Sequence, residues 1–127
     1  MFAKKSETNS LGRLKKRSDF LCVQKIAREK NSKWVAKGLI IETAPNDNLG
    51  VRYGLTVSKK VSKLAVTRNR VKRRLKAVAC EILPNYKGQN FDIVLIGRHA
   101  SEERDYADLK KDLIWCLGKL GYEKNSD

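Results

Sequence analysis

The sequence predicts an α+β domain in which three helices pack on a small mixed β-sheet of about four strands, as a two-layer sandwich. Three observations predict this fold. The 127 residues suffice for one hydrophobic core and are too few for two ordinary domains. The composition, 41% hydrophobic and 33% charged with two prolines, is typical of a globular chain. Apolar residues recur at helical spacing in some segments and alternate at strand spacing in others. We therefore expect one domain over residues 13–120, with a flexible N-terminal tail at 1–12 and a C-terminal tail at 121–127.

The first helix is predicted to follow the polar N-terminal tail. Ser18 and Asp19 provide side chains that commonly cap helices. Phe20, Val23 and Ala27 then share one face at i, i+3 and i+7. A Phe at this spacing is more often part of a core than a platform for a ligand, and both interpretations of Phe20 stay open here.

Two strand regions come next and are joined by a turn. Residues 34–43 contain one or two short strands, and residues 44–50 have the composition of a turn. Residues 51–58 alternate, so that one face is apolar and the other carries Arg52, Thr56 and Ser58. The turn between the two regions predicts a β-hairpin.

The remaining elements are two helices with a strand between them. Residues 68–83 carry an apolar stripe suited to packing on a sheet, and Pro84 ends this helix. Residues 91–96 are apolar on both faces after Asp92, which is typical of an interior strand. Asp105 and Asp108 suggest a weak capping box before the last helix. The predicted core stripes are Val71, Leu75, Val78, Ala79 and Ile82 in the first of these helices, and Tyr106, Leu109, Leu113, Cys116, Leu117 and Leu120 in the second.

The charge is strongly positive and unevenly distributed. The net charge is +14; residues 1–97 hold 22 basic and 7 acidic residues, and residues 98–127 hold 6 and 7. Ten Lys or Arg and no acid lie between Asp47 and Glu81. A solvated face normally mixes positive and negative side chains. This block therefore predicts a polyanionic partner, and nucleic acid is the first candidate.

The basic helix is predicted to offer cations in two directions. On a helical wheel, Lys72 and Lys76 border the apolar stripe on one side and Arg70 and Arg74 on the other, while Arg73 points outward. Residues 68–70 are predicted to lie at the helix start, where free backbone N–H groups and the helix dipole favour phosphate. Asn69 is a candidate cap at this position. One helix could therefore serve two nucleic-acid surfaces.

Several other classes of protein are disfavoured by the sequence. No signal peptide and no run of about 20 apolar residues is present, which predicts a cytoplasmic protein without a membrane segment. The odd number of cysteines, Cys22, Cys80 and Cys116, indicates buried or half-buried reduced thiols. His99 is the only histidine and no paired carboxylates stand out, so we expect no catalytic residue, no metal site and no small-molecule substrate in the protein.

Four blocks of sequence stand out in chain order. They are Arg13-Leu14-Lys15-Lys16-Arg17-Ser18-Asp19-Phe20, Arg52-Tyr53-Gly54-Leu55-Thr56-Val57-Ser58-Lys59-Lys60, Arg68-Asn69-Arg70-Val71-Lys72-Arg73-Arg74 and Asp92-Ile93-Val94-Leu95-Ile96-Gly97-Arg98. Together they resemble the protein subunit of bacterial ribonuclease P, from about Arg13 to Leu120. The resemblance implies a left-handed β-α-β crossover and a protein that assists a catalytic RNA, so that the holoenzyme is an endoribonuclease whose hydrolysis depends on RNA-bound Mg²⁺. It also implies two partners, the ribonuclease P RNA and precursor tRNA, whose 5′ leader is removed to give mature tRNA.

The resemblance also implies two sets of binding residues. The RNA subunit would contact Arg68, Asn69, Arg70, Arg73, Arg74, Lys59 and Lys60. The leader would lie in a cleft between the first helix and the sheet, lined by Phe20, Lys16, Arg17, Arg52, Thr56, Ser58, Lys72 and Lys76.

The sequence departs from the family pattern at two places. Gln24 stands where many members carry a second aromatic residue, and an amide offers hydrogen bonds but little stacking surface. Residues 61–67 lack a glycine that is frequent there.

The alternatives to a ribonuclease P protein are a ribosomal-type structural RNA-binding protein, a DNA-binding architectural protein and a metal-dependent nuclease.

Overall fold

A computed structural model describes residues 11–86 and 88–124. Three helices and five strands form the domain, together with two short 3-10 helices at Leu83–Tyr86 and His99–Ser101. The helices are α1 (Arg17–Lys30), α2 (Ala65–Ile82) and α3 (Tyr106–Lys119). The strands are β1 (Gly12–Arg13), β2 (Lys33–Val35), β3 (Leu39–Pro45), β4 (Val51–Thr56) and β5 (Phe91–Gly97).

The five strands form one mixed sheet in the order β1-β4-β5-β3-β2. β5 lies at its centre, parallel to β4 and antiparallel to β3, which confirms the prediction of an interior strand. The predicted hairpin is wrong, because β5 separates β3 from β4. A strand that is apolar on both faces buries the most apolar surface at the centre of a sheet. The free energy of this burial outweighs the tendency of a turn to pair the two strands that it joins. The left hand of the β4–α2–β5 crossover stays an implication of the resemblance.

Helices cover both faces of the sheet, so the molecule has one layer more than the sandwich that the sequence predicts. α2 and α3 pack on one face over the larger core, where Leu39, Ile41, Ile93 and Leu95 are fully buried. α1 packs on the opposite face over a second, smaller core of Leu14, Val23, Ala44 and Val94, with Phe20, Ile26 and Ile96 partly buried against it. The apolar stripes predicted for α2 and α3 are confirmed as buried, with Tyr106 and Leu120 only partly so.

The helices begin differently from the predictions. α2 starts at Ala65, so Arg68 lies within its first turn and its backbone N–H already donates to the carbonyl of Leu64 at 3.1 Å. Arg68–Arg70 therefore do not supply the free N–H groups of the helix start, and Asn69 is not a cap. No side chain caps α1, α2 or α3, so the predicted caps at their starts are absent from the part of the chain that the structure describes.

The domain extends beyond the limits expected from the sequence. Gly12 and Arg13 pair with β4, and Leu11 packs against the larger core. At the other end, the Tyr122 ring lies 4.3 Å from that of Phe91, centroid to centroid, and its hydroxyl donates to Thr43 Oγ1 at 3.2 Å. Residues 1–10 and 125–127 of the two predicted tails lie outside the described residues.

The cysteines differ from one another in exposure. Cys116 is buried, which confirms the prediction for that thiol, whereas Cys22 and Cys80 are exposed and contradict it. All three are free. Within the described ranges, no helix combines the length and the apolar character needed to cross a bilayer.

Candidate nucleic-acid interface

A groove runs between α1 and the face of the sheet on which α1 packs. β4 places Gly54, which has no side chain, beneath α1, and the Phe20 ring occupies the space that a side chain there would need. A Cβ at position 54 would lie 2.6 Å from Phe20 Cε2 and Cζ. The groove, hereafter the α1 groove, is lined by Phe20, Leu21, Gln24, Lys33, Glu42, Thr56, Val94 and Ile96.

Phe20 lies where both interpretations that the sequence left open remain possible. It is partly buried against the smaller core, and the same side chain lines the α1 groove. Gln24 lines the groove as well and is exposed. The groove therefore presents one aromatic ring and one amide, a combination able to stack on one base and to hydrogen-bond another.

A second recess continues the groove at the carboxyl ends of β4 and β5. Ile40 in this recess is the cross-strand partner of Ile96 in the α1 groove, so the two adjoin. The recess measures about 580 Å³ and falls within the usual range of ligand pockets, roughly 300–1,000 Å³. This recess, the groove mouth, is lined by Lys37, Ile40, Ser58, Lys60, Val61, Gly97, Arg98, His99 and Ala100.

The groove and its mouth contain cations that the sequence analysis missed. Lys33, Lys37 and Arg98 line them, with Glu42 as the only acidic residue among the lining side chains. Lys33 lies on β2 opposite Glu42 of β3. Its place in the groove could not be read from the sequence, because strand register decides which face a side chain occupies.

The structure places three of the residues expected in the cleft along this surface. Phe20 and Thr56 line the α1 groove, and Ser58 lines its mouth. Ser58 Oγ also accepts a hydrogen bond from the backbone N–H of Lys60 at 3.2 Å. Lys60, predicted to face the RNA subunit, lines the groove mouth instead.

Arg52 does not offer a free cation to the groove. Its Nε and Nη2 donate to the two carboxylate oxygens of Asp92, each at 2.8 Å, and Asn46 also donates to Asp92. The hydrogen bond to Asp92 is the main cause that raises the pKa of Arg52. The sequence did not show this pairing, because it did not reveal that β4 and β5 are parallel neighbours with Arg52 opposite Asp92. The assignment of Arg52 to the cleft stays a prediction.

The predicted cleft lysines of α2 lie elsewhere. α2 packs on the opposite face of the sheet from α1, and neither Lys72 nor Lys76 lines the groove or its mouth. The helical wheel placed both lysines relative to the apolar stripe of α2, but it could not tell on which side of the sheet that stripe packs. Lys16 and Arg17 are exposed at the start of α1 and are likewise not among the lining residues.

We call the Lys and Arg residues from Arg68 to Lys76 of α2 the signature cations, and they fall into two groups. Asn69, Lys72, Arg73 and Lys76 are exposed, and the described residues provide none of these three cations with an ion-pair partner. We call these four residues the outer face of α2. Lys59 and Lys60 are also exposed in the loop before the helix.

The other signature arginines are engaged within the protein. Arg68 Nη1 donates to the carbonyls of Ser62 and Lys63, both at 2.9 Å. Arg70 Nη1 lies 2.5 Å from Glu102 Oε2. Arg74 donates to three backbone carbonyls, so its predicted role as a direct RNA contact is not supported by this geometry.

The described residues contain no cluster of three or more His, Cys, Asp or Glu able to hold a metal ion. His99 is exposed at the groove mouth, beside Arg98 and away from any acidic partner in the described ion pairs. Two regions of the described residues thus hold cations that have no ion-pair partner, the α1 groove with its mouth and the outer face of α2.

Comparisons with known proteins agree with this geometry. A model of the family described as Ribonuclease P matches residues 9–121. The "Ribonuclease P protein component" of Paramagnetospirillum magneticum is 41% identical over 116 residues, covering 87% of this chain and 84% of that protein. The protein of the same name from Erythrobacter litoralis is 39% identical over 105 residues, covering 82% of this chain and 81% of that protein.

Solved structures show the same fold. The RNase P protein of Staphylococcus aureus superposes with a TM-score of 0.69 at 24% identity, covering 87% of this chain and 95% of that chain. The RNase P protein from Thermotoga maritima gives a TM-score of 0.69 at 23% identity, covering 84% and 96%.

Proposed function

This chain belongs to the ribonuclease P protein family, and on that premise we propose that it binds the ribonuclease P RNA through the outer face of α2 and the 5′ leader of precursor tRNA in the α1 groove. As a member of this family, it is the protein cofactor of an endoribonuclease that matures tRNA 5′ ends, and the ribonuclease P RNA is its partner.

The observation that carries the proposal is the separation of two cationic surfaces by the sheet. The α1 groove lies on one face, and α2 packs on the other. One RNA could therefore occupy the outer face of α2 while another occupies the groove, without competition for the same side chains. A protein that bound a single RNA would need only one continuous binding surface.

The chemistry of the groove favours a single strand over a duplex. Phe20 offers a ring for stacking, Thr56 and Ser58 offer hydroxyls, and Lys33 and Lys37 offer charges for phosphates. A base can enter such a groove only when it is unpaired, which is the state of a leader strand.

The outer face of α2 suits a folded RNA backbone. Lys72, Arg73 and Lys76 lie within about one turn of one another and remain free for phosphates. Each phosphate contact of this kind releases counterions, and affinity then falls as salt rises. Hydrolysis itself is assigned in this proposal to Mg²⁺ held by the RNA, with the protein reducing the repulsion between the two RNAs.

The proposal is tested by removing the groove charges in the reconstituted holoenzyme. Lys33→Gln with Lys37→Gln should weaken binding of precursor tRNA and leave mature tRNA unaffected, because only the precursor has a leader. The salt slope for precursor binding should fall by about 1.4, from two single-strand phosphate contacts at ~0.7 each. Lys111→Gln with Lys119→Gln is the control, since it removes the same charge from exposed positions on α3.

Equal weakening of precursor and mature tRNA by the groove variant, or equal effects of the two variants, would contradict a leader site in the groove. The ribosomal, DNA-binding and nuclease alternatives share the charge of this chain but do not account for the family match over residues 9–121.

A further inference from the structure

We propose that Arg74 is a positioning residue, which holds residues 98–105 so that Arg98 and His99 stand at the groove mouth. We call residues 98–105 the clamp loop. This inference rests on the proposed function, and it gives one signature arginine a task inside the protein rather than on the RNA.

The guanidinium of Arg74 is bound to the clamp loop at three points. Nη1 donates to the carbonyls of Ser101 at 2.8 Å and Glu102 at 2.5 Å, and Nη2 donates to the carbonyl of Arg104. A 3-10 helix at His99–Ser101 begins this loop, and the three acceptors follow one another around its end. Arg74 therefore satisfies carbonyls that a short helix leaves without partners.

The same loop is tied to the sheet from its other side. The buried Ser101 hydroxyl donates to the carbonyl of Gly38 at 2.6 Å and accepts from the backbone N–H of Arg98 at 2.8 Å. Arg104 forms two hydrogen bonds with Asp112, which also accepts from the backbone N–H of Gly38 at 3.0 Å. The loop is thus fixed between α2, α3 and the turn after β2.

The loop places the guanidinium of Arg98 at the groove mouth. Arg98, His99 and Ala100 line the mouth together with Lys37 and Lys60. Arg98 Nη1 also donates to the carbonyl of Ala36 at 2.6 Å, which sets the direction of its side chain. A shift of the loop would move these groups relative to a strand lying in the groove, so Arg74 of α2 would affect the groove mouth through the loop that it holds.

The chemistry explains why this position requires arginine. A guanidinium presents donors in a rigid planar fork and can serve three carbonyls at once, whereas a lysine has one nitrogen on a flexible stem. Arg74→Lys keeps the charge and loses the fork. It therefore separates a positioning role from a purely electrostatic one.

Arg73 is a matched control. It is the next residue in the chain, it is exposed, and no described acid forms an ion pair with it. Under the proposed function Arg73 contacts phosphate and Arg74 does not. The same substitutions at both positions should then have different consequences.

The experiment uses the reconstituted holoenzyme and two measurements. The first is the affinity of the protein for the ribonuclease P RNA as a function of salt, and the second is the preference for precursor over mature tRNA. Arg74→Lys should lower that preference about tenfold, as expected for one misplaced charged contact, whereas Arg73→Lys should keep it. Arg73→Gln should reduce the salt slope by about 1, whereas Arg74→Gln should leave it unchanged.

A variant with no charge change tests the same loop. Ser101→Ala removes the hydroxyl that joins Arg98 to Gly38, and it should also lower the preference without affecting the salt slope. This variant decides the question if Arg74→Lys does not fold, as judged by thermal melting. A preserved preference in the folded variants, or a salt slope that falls in Arg74→Gln as it does in Arg73→Gln, would overturn the inference. A wild-type holoenzyme that shows no preference for precursor would instead overturn the proposed function.

Discussion

Arg70 of α2 and Glu102 of the clamp loop form an ion pair, with Nη1 2.5 Å from Oε2. The side chains are 49% and 33% exposed, so the pair is accessible to a competing anion. Exposed pairs of this kind contribute only about 0–1 kcal/mol to stability. We therefore expect the carboxylate of Glu102 to compete with RNA phosphate for Arg70.

Replacing Glu102 by Gln should strengthen binding of the ribonuclease P RNA. The substitution frees Arg70, and one additional phosphate contact should make the salt slope steeper by up to about 1. Titration of the RNA at several salt concentrations measures both effects. Glu103→Gln is the control, because Glu103 is exposed and forms none of the described ion pairs. Identical slopes for the two variants would show that Arg70 does not contact phosphate.

Replacing Gly54 by Ala should destabilise the domain through Phe20. The added Cβ would lie 2.6 Å from two atoms of the ring, and overpacking of this kind typically costs about 1–3 kcal/mol. Urea unfolding of the purified protein measures the loss. The double variant with Phe20→Leu should recover part of it, because the smaller side chain leaves room for the methyl group. Additive losses in the double variant would show that the ring does not rest on Gly54.

Cys22 and Cys80 should react with a thiol reagent in the native protein, whereas Cys116 should not. Burial is the main cause that raises the pKa of Cys116 to about 12 from its ordinary value of 9.0, whereas Cys22 and Cys80 are exposed. A thiol reagent at pH 8 should therefore modify two cysteines in the native protein and three in denaturant. Rapid modification of all three in the native state would contradict the burial of Cys116.

Cys116 should also make the stability of the folded protein depend on pH. The folded state keeps the proton of Cys116 more tightly than the unfolded state does, so its contribution to stability is complete below pH 9. That contribution is lost as the pH rises from about 9 toward 12. The variant Cys116→Ala should show a weaker decline in this range, although its overall stability is lower.

Much of the fold was readable from local patterns. The stripe from Val71 to Ile82, the interior character of residues 91–96 and the buried side of α3 were predicted and are confirmed. These features depend on hydrophobic periodicity, which a single segment expresses by itself. The family could likewise be identified from ordered blocks of sequence.

The partners of charged side chains were not readable in the same way. Arg52 and Asp92 are 40 residues apart in the chain, and Arg74 and Ser101 are 27 apart. Nothing local distinguishes Arg74, which is bound to carbonyls, from its exposed neighbour Arg73. Strand order determined the first pair, and the packing of the clamp loop against α2 determined the second.

The sequence by itself determined that this chain is a basic α+β domain of the ribonuclease P protein family, because composition, periodicity and motif order are properties of the chain alone. Only the tertiary structure decided which cations remain free and on which side of the sheet each one lies. The physical reason is that a charge is neutralised, or offered to a partner, by what lies within a few ångströms of it. Those neighbours come from distant parts of the chain, and folding alone brings them together.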